Sequence, residues 1–154
     1  MRRPLLQLTT ALTLGLAAIS APAYAEMITK TSPHSVAETM DRLEAAVTAA
    51  GATVFARVDH AAGAEKVEMD LRPTQLLIFG NPKLGTPAMI DAQTAGLDLP
   101  LRVLAYADAE GVVQVTYHMP DTMVEDHGLP ADAEYLKMMT GALDKLTGAA
   151  IAAD

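Results

Sequence analysis

Apolar residues at helical spacing stand near both ends of the folding region. Val36, Met40, Leu43 and Val47 recur at three- and four-residue intervals behind Ser35 and Glu38, a capping-box pair. Gly51 stands where the left-handed residue that ends a helix belongs, so a helix is expected over residues 35–50. Leu136, Met139, Leu143 and Leu146 form a second stripe and predict a closing helix over 132–151, its continuity weakened by Gly141 and Gly148. Between these stripes the pattern changes to short strand-like runs at 27–31, 53–58, 74–79, 101–107 and 112–118. Asp108-Ala109-Glu110-Gly111 joins the last two as a hairpin turn. Residues 59–72 read as a loop with room for a short helix, because Gly63 interrupts their apolar positions. Pro73 sets the earliest start of the third strand. The order is β-α-β-β-(short α)-β-β-α. It predicts an α+β fold of two layers, a mainly antiparallel sheet with two long helices on one face.

The stretch from residue 76 to 90 carries the most chemistry. Leu76, Leu77, Ile78 and Phe79 make a buried strand stopped by Gly80. Residues 80–85 then read as a loop, and Thr86 followed by Pro87 as the cap and first residue of a short helix. Free N–H groups at that helix start, with Asn81, Lys83, Gly85 and Thr86 around them, would hold a small anion. The competing reading is a tight turn in which Asn81 and Thr86 satisfy backbone groups and Lys83 is solvated. The spacing is not that of a P-loop, so nucleotide hydrolysis is not indicated.

Composition narrows the setting. Arg2 and Arg3, an apolar run to Ile19, and Ala23-Tyr24-Ala25 have the form of a cleavable export signal over residues 1–25. A single mature domain, residues 26–154, is then expected in the periplasm or outside the cell, with no membrane span after cleavage. Of 11 basic residues, Arg2 and Arg3 leave with the signal, so 9 remain against 19 acidic ones, a net charge of −10. That balance disfavours nucleic acid and anionic lipid surfaces as partners. Cysteine is absent, which removes disulfide bracing and thiol chemistry. Tryptophan is absent and aromatics are few, so no cofactor is expected.

Asp59-His60-Ala61-Ala62-Gly63-Ala64 and Thr74-Gln75-Leu76-Leu77-Ile78-Phe79-Gly80-Asn81-Pro82-Lys83 resemble the DUF302 family of bacterial domains of unknown function. Gly85-Thr86-Pro87 and Leu97-Asp98-Leu99-Pro100-Leu101-Arg102 continue the similarity along most of the mature chain. The resemblance implies a compact α+β domain and a homodimer. It implies no reaction.

The histidines supply the other candidate chemistry. His60 follows the second strand and His118 ends the fifth. If those ends met near Asn81, His60, His118 and Lys83 would line one cleft suited to proton transfer. No serine is placed for a hydrolase triad. The run from His118 through Met123 to His127 mixes ligands that suit copper, but its spacing matches no defined metal site. Three classes therefore stand: a binding domain for a small anionic ligand or protein partner, an enzyme using His60 or His118, and a periplasmic metal carrier.

Overall fold

The computed structural model describes residues 27–153, so the expected export signal lies outside the described residues. Five strands, β1 (Met27–Ser32), β2 (Thr53–Asp59), β3 (Thr74–Gly80), β4 (Leu101–Ala107) and β5 (Val113–His118), form one sheet. Its order is β1-β5-β4-β3-β2, and every neighbouring pair is antiparallel. The long helices α1 (Val36–Ala49) and α5 (Glu134–Ala150) pack on each other, and α1 packs on the central strands. This is the expected two-layer α+β arrangement.

Alternation decides which strand residues meet the helices. Leu77 and Phe79 of β3, Val103 and Ala105 of β4, and Val115 and Tyr117 of β5 enter one core. They meet the α1 stripe Val36, Met40, Leu43 and Val47, with Leu143 and Leu146 of α5. Ser35 caps α1 by accepting a hydrogen bond from the Glu38 N–H at 3.2 Å. On edge strand β2, Arg57 stands on the helix side and reaches Asp41 and Glu44 of α1. On the opposite edge, Lys30 of β1 bonds Asp144 and Thr147 of α5 at 2.7 and 2.9 Å. Both edges are thereby tied to the helix layer.

Three further helices were only partly legible. Helix α2 (His60–Glu65) is short and capped by Asp59, whose carboxylate accepts from the Ala62 N–H at 2.9 Å. Helix α3 spans Pro82–Asp91 and is followed by a 3₁₀ turn at Gln93–Leu97. Helix α4 (Thr122–His127) forms within the run of candidate copper ligands, where the expected element order has no helix. Its Met123 is buried in a second core with Ala88, Ala95, Leu129, Leu136 and Met139. One buried side chain in a six-residue segment leaves too little periodicity to see beforehand.

Candidate functional site

The β3–α3 junction departs from expectation in its first turn. The helix begins at Pro82, not after Thr86, and Asn81 is its cap. Asn81 has extended backbone and its side-chain oxygen accepts from the Lys83 N–H at 2.9 Å. Asn-Pro and Thr-Pro are equivalent start signals, and the upstream pair prevails. Thr86 and Pro87 consequently lie inside the helix.

This shift removes the basis for an anion at the helix start. Pro82 has no N–H, and the Lys83 N–H is taken by the cap. The Leu84 and Gly85 N–H groups both bond the Asn81 carbonyl, at 2.9 and 3.0 Å. The donors that make a helix N-terminus attractive to anions are spent internally. Lys83 and Thr86 are exposed.

Beside the junction is a cavity of about 360 Å³. Asn81, Gly85, Thr86 and Met89 of the α3 region form one wall; Leu99, Pro100 and Leu101 form another; Phe55 and Met139 complete the boundary. Lys83 is not on its wall. Three glycines shape the lining. A Cβ on Gly80 would stand 3.3 Å from Cβ of Pro100, so glycine permits that close approach. On Gly96 it would meet the Met89 sulfur at 3.4 Å. The surface is mainly carbon and thioether, and suits an apolar body with a few polar atoms at Asn81 and Thr86.

Two hydrogen-bonded links hold the cavity's walls. Tyr135 of α5 donates to Asp91 at the end of α3, at 2.8 Å. Burial first, then the Asp91 hydrogen bond and charge, push the Tyr135 hydroxyl up to about 12. The second link joins the 3₁₀ turn to α4. His127 Nε2 lies 2.6 Å from one Asp98 oxygen, and His127 Nδ1 lies 3.1 Å from the Thr94 hydroxyl. The other Asp98 oxygen accepts from Arg102 at 3.0 Å. In the neutral ring with its proton on Nε2, that N–H donates to the carboxylate and Nδ1 accepts from the Thr94 hydroxyl. Arg102, Asp98 and His127 were missed as a group. Asp98 and Arg102 are visible four residues apart, but only the fold brings His127 to them.

A second cavity, about 200 Å³, lies beside this network. Asp98, Arg102, His118, Thr122 and Asp126 give it a polar lining, and Met119, Met123 and Leu143 an apolar one.

The expected His60–His118 cleft does not form. His60 follows Asp59, which pairs with Gln75 at the start of β3, whereas His118 pairs with Met27 and shares its sheet end with Leu101 and Gly80. The antiparallel order puts them at opposite ends of strands roughly 20 Å long, and three strand positions apart. Of the candidate residues, Asn81, Gly85 and Thr86 share the larger cavity, His118 lines the smaller, and Lys83 and His60 line neither. The His118–Met123–His127 arrangement changes as well, because both His127 nitrogens are engaged by Asp98 and Thr94. Among the described residues, no three His, Asp or Glu side chains are gathered as a metal-holding group.

An open antiparallel sheet with two long helices and a side cavity defines a small α+β domain. The chain belongs to the DUF302 family, described as a domain of unknown function, with residues 28–146 matched. Its structure is similar to the crystal structure of an uncharacterized conserved DUF302 protein from Bacillus stearothermophilus, with a TM-score of 0.66 and 21% identity. The similarity covers 81% of this chain and 94% of that one. The chain is also 46% identical over 117 residues to proteins named fluoride-specific ion channel FluC 1 from Brucella suis and Brucella abortus. The match covers 75% of this chain but 46% and 43% of those proteins, so the chain spans less than half their length. Among the described residues, no helix is long and apolar enough to cross a membrane.

Proposed function

We propose that this is the binding domain of an exported protein, holding a small, largely apolar ligand in the cavity between α3 and the start of β4. The observation that carries it is the cavity of about 360 Å³ with Asn81, Gly85 and Thr86 on one wall. Its volume falls at the lower end of the roughly 300–1,000 Å³ typical of ligand sites. A binding role fits better than acid–base catalysis, because His60 and His118 stand at opposite sheet ends and each would act alone.

The test uses N-phenyl-1-naphthylamine, a neutral dye that brightens in apolar surroundings. The wild-type protein should enhance its fluorescence, and Gly85→Leu, which fills the cavity from the α3 wall, should abolish the gain while preserving the circular dichroism spectrum. Equal enhancement by both proteins, or none by wild type, would discard this assignment.

The Brucella relatives support a second role. An ion channel must cross a membrane, and the described part of this chain has no helix suited to that. In those longer proteins the shared region would be an accessory to the channel, and this domain would act alongside such a channel. Co-expression with a fluoride channel should then change fluoride efflux; unchanged efflux would end the idea.

A further inference from the structure

We infer that the ligand is an amphipathic monocarboxylate, its apolar body in the larger cavity and its carboxylate at Arg102 and His118 in the smaller one. This rests on the binding role proposed above and extends it to the ligand's head group. Among the described residues, the two cavity walls share Leu101 alone. On α5 the walls are formed by Met139 and Leu143, one helical turn apart, a rise of about 6 Å. The compartments are therefore adjacent, with half-buried Leu101 common to both linings.

Their linings complement the two parts of such a molecule. The larger compartment offers methionine, leucine and phenylalanine surface, while its helix N-terminus has no donor left for a charge. The smaller one has Arg102 and His118 in its lining, from adjacent strands β4 and β5. Arg102 gives one N–H to Asp98, and its remaining fork is suited to a second, planar carboxylate. Asp98 is already bonded by both Arg102 and His127. Asp126 adds a negative charge on the same wall. A dianionic phosphate would meet twice the repulsion from Asp98 and Asp126 that a monocarboxylate meets, with a single arginine opposing it.

Octanoate, octanol and octylamine titrated separately into the purified protein, followed by calorimetry, test the assignment. Octanoate should bind most tightly, and R102Q should weaken it by about tenfold or more, the effect of losing a charge-assisted hydrogen bond. Octanol binding should be unchanged by R102Q, which also reports that the variant is folded. Arg102 is 48% exposed in its side chain, so its replacement leaves the core intact. Equal affinity for octanoate and octanol, or equal weakening of both by R102Q, would overturn the head-group assignment while leaving the apolar site standing. Failure of all three ligands to bind would overturn both.

Discussion

Replacing Asn81 and Thr86 separately by alanine decides where α3 begins, and with it what kind of site the junction can be. Asn81 accepts the Lys83 N–H at 2.9 Å, and Asn81→Ala removes that cap. Such losses cost about 0.5–2 kcal/mol. Lys83 is exposed, so water can reach its freed N–H, which favours a cost of about 1 kcal/mol over the upper limit. For a domain of this size that lowers the melting temperature by roughly 3–5 °C. Thr86→Ala should act in the opposite direction. Thr86 is an exposed residue within the helix, and alanine is the better helix former by up to about 0.7 kcal/mol. Thermal and urea unfolding of the two variants supply the assay. If Thr86→Ala lost about 1 kcal/mol and Asn81→Ala were neutral, the helix would start after Thr86. Free N–H groups would then face solvent, and the anion site rejected here would be restored.

Gly85→Ala should stabilise the domain by about 0.5–1 kcal/mol, because Gly85 is inside α3. Its new Cβ would meet Leu99 at an ordinary 3.7 Å; destabilisation in urea would show that the cavity wall is closer than this. His127→Ala should cost about 2–3 kcal/mol, since its side chain is 6% exposed and bonds a carboxylate. A change under 0.5 kcal/mol in unfolding free energy would remove the Thr94–His127–Asp98 link from the account. Tyr135 ionises at about 12 in the folded chain against 10.0 ordinarily, so folding favours its neutral form. Its contribution is complete below pH 10 and is lost as pH rises towards about 12. Wild-type urea midpoints should therefore fall more between those limits than those of Tyr135→Phe; parallel curves would contradict the sign.

The long elements were legible because each declares itself locally. Val36, Met40, Leu43 and Val47 repeat at a helical period over 12 residues, with a serine cap in front and Gly51 behind. Short strand-like runs on either side of the Asp108–Gly111 turn likewise marked β4 and β5, and the resemblance carried by residues 74–83 agreed with the family found. The short helices gave weaker signals. Asn81-Pro82 and Thr86-Pro87 are chemically equivalent starts, and the packing of α3 on α5 is written in neither pair.

The sequence by itself determined the two amphipathic helices, the strand positions, the α+β class and the nearness of Asn81, Gly85 and Thr86, because periodicity and capping act within a few residues. Tertiary structure alone decided which distant groups meet. The strand order separated His60 from His118 by the length of the sheet, and chain folding brought His127 to Asp98 from 29 positions away. It also made the cavities, since an empty volume depends on how far side chains from several elements reach and has no residue of its own to mark it.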